Sequence, residues 1–270
     1  MTNALNKTRS WASPPRTLNA VNTERLISIL SPLMLLLIWE VLARAGLIDT
    51  RFFPAPSKIS VTFVNLVENG TLWANMWASL QRLFWGYLFG GVPALVIGIS
   101  MGLNRTLRAI LDPIISVTYP IPKSAILPLM LLIFGLGEGS KIVMVATGVF
   151  FPIVINSMAG VLEINKIHFD VSRNFGAGRL QVFRTVALPG ALPLIMTGVK
   201  LGVGMGLILI AIAEMVGAKS GLGYMIWNAW EILSVETMYV GLITIAVLGL
   251  VFTLILNEVE RLIVPWKAGR

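Results

Sequence analysis

Residues 83–104 read Leu-Phe-Trp-Gly-Tyr-Leu-Phe-Gly-Gly-Val-Pro-Ala-Leu-Val-Ile-Gly-Ile-Ser-Met-Gly-Leu-Asn and contain no charged side chain. A helix needs about 20 apolar residues to cross the hydrocarbon core of a bilayer, and this stretch is long enough. The whole chain has the same character, because 56% of its 270 residues are hydrophobic and only 13% are charged. A soluble domain of this size could not bury so much apolar surface. The sequence therefore predicts an all-α integral membrane protein.

Other stretches of the chain have a similar length and apolarity. Some are nearly free of charge, and others are interrupted by single charged residues. In chain order, the predicted spans are residues 26–47, 83–104, 113–137, 142–162, 188–218 and 237–256. We therefore expect about six transmembrane helices.

Basic residues are unevenly distributed between the loops that join these spans. One set of alternate loops holds only Arg51, Lys58, Lys141 and Lys219, with Arg44 and Arg82 at its margins. The other set and the two termini hold Lys7, Arg9, Arg16, Arg25, Arg105, Arg108, Lys166, Arg173, Arg179, Arg184, Arg261, Lys267 and Arg270. By the positive-inside rule, both termini are predicted to be cytoplasmic.

The ends of the chain are predicted to lie outside the membrane domain. Residues 1–25 are polar and predict a disordered tail, residues 26–262 form the transmembrane domain, and residues 263–270 form a short cytoplasmic tail. A secretory signal is an alternative for the first part, since a basic stretch and an apolar stretch precede Ala43-Arg44-Ala45. Cleavage there would leave five helices and would spoil the parity of the charge pattern.

Composition excludes several functions. The chain has no cysteine and a single histidine, His168, so it has too few ligands for a thiolate or histidine metal centre. The net charge of +8 is explained by basic residues beside membrane helices, and we expect no nucleic acid partner. An intramembrane hydrolase is disfavoured because the chain has no cysteine, His168 lies in a predicted cytoplasmic loop, and no Ser or Asp pair lies at membrane depth. No catalytic or metal site is predicted.

The segment between the fourth and fifth spans, residues 163–188, is too long for a simple linker. Ile167, Val171 and Phe175 repeat at a spacing of four and so share one face of a helix. The glycines at 176–178 end this helix, and a second amphipathic helix is predicted after them. Its apolar side needs a cover. Periodicity alone leaves open whether that cover is the protein's own bundle, lipid or a partner protein.

This segment resembles the loop motif of ATP-binding-cassette importer permeases, Glu-Ala-Ala-x3-Gly-x9-Ile-x-Leu-Pro. The chain has Asp170-Val171-Ser172, then Gly176, then Val186-Ala187-Leu188-Pro189 at the same spacing. The replacements keep charge and apolarity, although Val171 is bulkier than alanine. The resemblance implies a cytoplasmic coupling helix docked on a separate ATPase subunit. The residues implied in that coupling are Ile167, Asp170, Val171, Ser172, Arg173, Asn174, Phe175, Gly176, Ala177, Val186, Leu188 and Pro189.

Short fragments elsewhere are similar to the permease subfamily that serves nitrate, aliphatic sulfonates, taurine and bicarbonate. They lie at residues 78–82, 111–113, 120–122, 127–129, 134–137, 151–152, 175–177, 188–193, 213–214 and 221–224. This resemblance implies a type I importer permease in the bacterial inner membrane. It also implies a homodimer of permeases, two ATP-binding-cassette ATPases and an extracytoplasmic substrate-binding protein.

ATP and Mg²⁺ are expected on the partner ATPase, with no cofactor in this chain. A phosphate-binding loop needs Gly-x4-Gly-Lys-[Ser/Thr]. The nearest fragment, Gly217-Ala218-Lys219-Ser220, lacks the glycine before the lysine. The energy for transport must then come from another subunit.

Charged residues inside the spans are candidates for the translocation pathway, because burying a charge in lipid costs on the order of 3 kcal/mol. Lys123 and Ser124 follow Tyr119-Pro120-Ile121-Pro122, where two prolines are expected to break or kink the third helix. A cation beside free carbonyl groups could attract an oxyanion, and pairing of Lys123 with a neighbour is an equal alternative. Lys200 and Glu214 are too far apart along one helix to pair, so each needs a partner elsewhere. For Glu214, a structural role is favoured over contact with substrate.

A secondary transporter or channel for a small anion is the main alternative. It would share the helices and the buried lysines, but it would not need the long amphipathic loop. Proton or sodium coupling normally uses paired acids, and the spans offer only Glu214 and, marginally, Glu40. Lysines without matching acids favour an anion, which agrees with the subfamily resemblance.

Overall fold

The chain divides into two units, Met1–Lys58 and Ile59–Arg270, and a computed structural model describes residues 18–267 of it. Residues 1–17 of the predicted tail and residues 268–270 lie outside the described range. The regular structure between residues 18 and 267 is helical. This confirms the predicted all-α class.

The helices follow one another with short connections. The first five are α1 (Leu18–Arg44), α2 (Pro56–Glu68), α3 (Thr71–Leu103), α4 (Arg105–Thr118) and α5 (Leu127–Phe134), the last preceded by a 3-10 turn at Lys123–Ile126. The next three are α6 (Glu138–Leu162), α7 (Lys166–Asn174) and α8 (Arg179–Val182). A π turn, Phe183–Ala187, leads into α9 (Leu188–Met215), followed by α10 (Leu222–Glu231), α11 (Val235–Ile263) and a 3-10 turn at Pro265–Lys267.

Four described helices are long and apolar enough to cross a membrane: α3, α6, the helix Arg179–Met215 and α11. The segments Arg105–Thr118 and Lys123–Phe134 pass the same test together and are bent by 87°, which raises the number of described spans to at most five. The bend confirms the predicted break in the third span. Its cause is local, because Pro120 and Pro122 have no backbone N–H with which to continue the helix.

The predicted first span, residues 26–47, overlaps α1 (Leu18–Arg44), and both boundaries of the helix differ from the predicted ones. Helix α1 begins at Leu18, inside the segment predicted as a tail, because its first turns are polar and give no apolar signal. In the same unit, Glu40 accepts hydrogen bonds from Arg44 Nε at 2.5 Å and from the backbone N–H of Ser57 at 2.9 Å. This acid therefore joins α1 to the start of α2. The count of six spans stays a prediction.

The core of the second unit lies between α3, α6 and α9. Buried apolar side chains from these helices form one cluster: Leu83, Ala94, Met101, Val145, Val149, Ile153, Val154, Val203, Leu207 and Ile210, with Ile115 of α4. Close approach depends on glycine at particular points. Any side chain at Gly90 would overlap the backbone of Ala146 on α6, and one at Gly198 would lie 2.8 Å from the carbonyl of Pro152. Small residues let membrane helices pack in this way.

Candidate functional site

Helix α7 is capped at both ends by its own sequence. Asn165 Oδ1 accepts the backbone N–H of Ile167 at 3.1 Å. At the other end, the N–H groups of Gly176 and Ala177 bond the carbonyls of Arg173 and Ser172, at 2.9 and 3.0 Å, with Gly176 at a φ of +72°. This is a Schellman motif, which requires the left-handed conformation that glycine adopts without strain. The predicted helix end at Gly176 is confirmed.

The predicted apolar face of α7 is open. Phe175 is 87% exposed, Ile167 is 59% exposed and Val171 is 48% exposed. The bundle covers a different side of the segment, where Phe169 and Phe183 pack against a buried cluster. Within residues 18–267, the helices of the protein therefore leave open the face that the periodicity identified.

Polar residues surround this open face. Asp170 and Arg173 are exposed and lie 3.9 Å apart, an arrangement that contributes little in water. Ser172 donates to the carbonyl of Phe169 at 2.8 Å, within its own helix. Asn174 is exposed, and Ala177 is partly exposed. The face is thus an apolar strip on a polar loop.

The second predicted amphipathic helix is not a separate element, which corrects the sequence interpretation. Helix α8 continues through the π turn Phe183–Ala187 into α9, so residues 179–215 form one helix of 37 residues. At 1.5 Å per residue it is about 55 Å long. Val186 lies in the π turn, and Leu188 and Pro189 begin α9. Residues 179–187 therefore continue into the long apolar helix α9 without an intervening loop.

Lys123 is hydrogen-bonded to backbone carbonyl groups at the bend in the third span. Its ammonium group donates to the carbonyls of Thr118, Tyr119 and Ile121 at 2.8, 3.0 and 3.0 Å, and it is 8% exposed. It also lies 4.0 Å from the centroid of the Phe151 ring. An ammonium group has three donors, and all three are used. These contacts favour pairing with neighbours over a cation free to attract an oxyanion.

The other predicted pathway residues around the bend remain accessible. Tyr119, Pro120, Pro122 and Ser124 are exposed in the single chain. Lys200 of α9 has the partner on another helix that the sequence required, because it forms an ion pair with Glu260 of α11. The structure therefore brings the bend residues together and places Lys200 in a separate contact.

Glu214 lies in a buried polar cluster at the end of α9. Its carboxylate is fully buried and accepts Arg82 Nη1 at 2.7 Å, Ser79 Oγ at 2.8 and 2.9 Å, and the backbone N–H of Gly223 at 3.0 Å. Arg82 and Ser79 come from α3. The structural role that the sequence favoured agrees with this geometry. A direct contact with substrate does not, because no oxygen of Glu214 faces solvent.

Arg82 links this carboxylate to a second acid. Its Nε and Nη2 form two bonds to Glu138 at 2.5 and 2.8 Å, and its Nη1 and Nη2 also donate to Ser220. Nearby, the buried Lys141 donates to the carbonyls of Leu136 and Gly137 at 2.7 and 3.0 Å. Two cations and two carboxylates thus balance one another. A buried charge of this kind is tolerated only when it is paired and hydrogen-bonded.

Sequence reasoning missed this cluster because it placed Arg82 and Lys141 in or beside loops. One signal was present. The fragments at residues 78–82, 134–137, 213–214 and 221–224, noted above for their family resemblance, are far apart in the chain and all contribute to the cluster or flank it. Within residues 18–267, no group of His, Asp and Glu side chains could hold a metal ion.

Comparison with known proteins identifies a family for this chain. Residues 94–267 match the family described as "Binding-protein-dependent transport system inner membrane component". The chain is 37% identical over 249 residues to the taurine transport system permease protein TauC of Escherichia coli K12, covering 89% of each chain. It is 33% identical to a putative aliphatic sulfonates transport permease protein, SsuC, of Bacillus subtilis 168, covering 88% of this chain and 87% of that one.

A solved structure shows the same fold. It is an inward-facing conformation of the MetNI methionine ABC transporter, which matches with a TM-score of 0.59. The match covers 70% of this chain and 94% of that chain, at 22% sequence identity. At that identity, the likeness shows the fold alone.

Proposed function

Because the chain belongs to the family of binding-protein-dependent transport system inner membrane components, we propose that it is the membrane-spanning permease subunit of an ATP-driven importer. A separate ATPase subunit binds the open face of α7 and drives the inward movement of a small anion with a sulfonate group. The observation that carries this proposal is the 87% exposure of Phe175 on a polar loop.

An ATPase is the cover that best fits this face. Burying one aromatic side chain contributes roughly 2 kcal/mol, so an apolar strip of Ile167, Val171 and Phe175 favours a protein surface. The cap at Gly176 holds that strip in one shape before any partner binds, which lowers the entropy cost of association. The chain has no phosphate-binding loop of its own, so ATP and Mg²⁺ belong to the partner.

The bend in the third span supports a pathway between two copies of the permease. Non-helical backbone at membrane depth is tolerated only where protein or a water-filled cavity covers it. Tyr119, Pro120, Pro122 and Ser124 are exposed at this break in the single chain. A second copy and a water-filled path between the copies would supply both kinds of cover. Lys123 then shapes the bend instead of binding the anion.

The remaining subunits and the orientation follow from the same scheme. Two permeases carry two ATPases on the side of α7, and an extracytoplasmic binding protein delivers the substrate on the opposite side. Lys166 and Arg173 lie on α7, Arg179 and Arg184 follow it, and these basic residues favour a cytoplasmic position. Both termini are then cytoplasmic, and the protein is a multi-pass protein of the inner membrane.

Sulfonates are the preferred substrates among the four anions that the resemblance implied. Taurine and aliphatic sulfonates appear in the names of the relatives described above, whereas nitrate and bicarbonate do not. A secondary transporter is disfavoured because both acids that could couple transport to protons, Glu214 and Glu40, are bonded to other residues. Glu214 is enclosed with Arg82, and Glu40 is bonded to Arg44 and Ser57, so neither resembles an acid available for proton coupling.

Uptake in reconstituted vesicles tests this function. The permease, the ATPase and the binding protein encoded beside the permease would be reconstituted in vesicles. Uptake of labelled taurine would then be measured with and without ATP on the cytoplasmic side of the permease. We expect uptake only with ATP and the ATPase, and competition by aliphatic sulfonates but not by nitrate. Uptake driven by an ion gradient in the absence of the ATPase would contradict the proposal.

A further inference from the structure

The start of α10 is held by side chains from other helices. The first N–H groups of a helix have no partner inside it. Here three consecutive ones are bonded: Gly221 to Asn75 Oδ1 at 2.9 Å, Leu222 to Ser79 Oγ at 2.8 Å, and Gly223 to Glu214 Oε2 at 3.0 Å. Two of these acceptors lie on α3 and the third lies on α9. The cluster around Glu214 is therefore a seat for α10.

Two glycines make this seat specific. Gly221 has a φ of +118°, and any side chain there would overlap the Glu214 carboxylate. A side chain at Gly223 would overlap the backbone of Ala211 on α9. The α10 backbone can approach so closely only because both positions lack a Cβ.

Stability alone does not explain the buried charges. Apolar side chains of similar volume often replace a buried ion pair without loss of stability. They cannot, however, accept a backbone N–H group. What Glu214 and Ser79 add to apolar packing is a fixed position for residues 221–223.

The same helix connects this seat with the coupling segment. Residues 179–215 form one helix, with α8 at one end and Glu214 next to the other. Its length of about 55 Å spans the distance from the α7 loop to α10. A displacement of α8 therefore reaches α10 directly, provided that the contacts around Glu214 hold.

We propose that Glu214, Arg82 and Ser79 are positioning residues that fix α10 to the far end of the Arg179–Met215 helix, so that movement imposed at α7 and α8 moves α10 with it. This inference rests on the proposed function, because it assumes that an ATPase moves the α7 end. Arg82 acts through Glu214, since it holds the carboxylate that receives the Gly223 N–H group.

The test is the number of substrate molecules transported per ATP hydrolysed. The double variant Arg82→Met/Glu214→Leu removes both charges and the acceptor of the Gly223 N–H group, and it keeps similar volumes. It would be reconstituted as the full complex with ATPase and binding protein. The matched control is Arg51→Met/Asp49→Leu, which removes an ion pair of the same 2.7 Å length at an exposed site.

We expect the double variant to retain the ATPase and its hydrolysis, while transport per ATP falls by about tenfold and the control is unchanged. Unchanged transport per ATP in the double variant would overturn the proposal. If that variant does not fold, Ser79→Ala provides the measurement, because it keeps the ion pair and removes the acceptor of the Leu222 N–H group. For Ser79→Ala we expect transport per ATP to fall by about threefold. Unchanged transport per ATP in this variant would also overturn the proposal. Wild-type uptake that needs no ATP would instead refute the proposed function.

Discussion

The buried cluster around Glu214 and the open face of α7 lie near opposite ends of one helix, and they are completed in different ways. Glu214 has 0% exposure, and its carboxylate is bonded by donors from α3 and α10. Phe175 has 87% exposure and lies beyond the reach of the bundle core. Among residues 18–267, the buried Glu214 carboxylate finds its partners within the same chain, whereas Phe175, the most exposed aromatic side chain, has no cover.

The meaning of an exposed apolar side chain depends on whether lipid or water surrounds it. Leu132 in the bent third span is 83% exposed, which lipid or a second copy explains without any special site. Phe175 is as exposed, but its neighbours on α7 include Asp170, Arg173 and Asn174. In water an apolar strip favours a protein cover, and in lipid it does not. An exposed apolar strip therefore indicates a binding surface where water surrounds it, and a charged side chain is informative where it is buried away from water.

Breaking the buried cluster has the largest expected effect on stability. Arg82→Ala leaves the fully buried Glu214 without its cation, a change that typically costs about 3–5 kcal/mol. We expect a strongly lowered unfolding temperature in detergent and a low folded yield, measured by the fluorescence of the native tryptophans and by size-exclusion chromatography. Arg51→Ala, at an exposed ion pair, is the control and stays near the wild type. A normal unfolding temperature for Arg82→Ala would show that water reaches the cluster.

Lys123 gives an intermediate case. Lys123→Met leaves the carbonyls of Thr118, Tyr119 and Ile121 without their shared donor, which costs about 1–3 kcal/mol for a group left unsatisfied. We expect a moderate fall in unfolding temperature and slower uptake, with partial recovery in Lys123→Arg. The exposed Lys219 provides the control, Lys219→Met, which leaves both unchanged. If Lys123→Met slowed uptake at unchanged stability, the lysine would contact substrate after all.

The open face of α7 has the smallest expected effect on the isolated subunit. Phe175→Ala removes an exposed side chain, so its unfolding free energy stays within about 0.5 kcal/mol of the wild type. Its binding to the ATPase weakens by about thirtyfold, the equivalent of roughly 2 kcal/mol. Binding would be measured by titrating the ATPase onto the permease in detergent. Phe84→Ala, an exposed aromatic on the membrane helix α3, is the matched control and binds normally.

Local patterns in the sequence identified much of this picture. Length and apolarity gave the long helices, the two prolines predicted the break before Lys123, and the spacing of Ile167, Val171 and Phe175 predicted α7 with its end at Gly176. Each of these rests on interactions between residues that are close in the chain. The continuity of α8 with α9 was missed, because a π turn keeps the helix intact ahead of Pro189 where a boundary was expected.

Contacts between distant residues could not be predicted in the same way. Arg82 and Glu214 are 132 positions apart, and no periodicity links them. The partner of Lys200 was predicted only as a residue on another helix or chain, and Glu260 could be identified only from the packing of α9 against α11. For Lys123, the sequence indicated free carbonyl groups beside a cation, but only the structure shows that the cation itself bonds them.

The proposed function requires that an ATPase covers the open face of α7. The native chain has no cysteine, so a single cysteine at position 175 can report this contact directly. Its labelling by a water-soluble maleimide would be followed in detergent without the ATPase and with ATPase at a concentration that saturates this weakened variant, beside a second single cysteine at the exposed position 219. We expect rapid labelling of both sites in the permease alone, and protection of position 175 but not of position 219 once the ATPase binds. Equal labelling of position 175 with and without a stably bound ATPase would contradict the proposed contact.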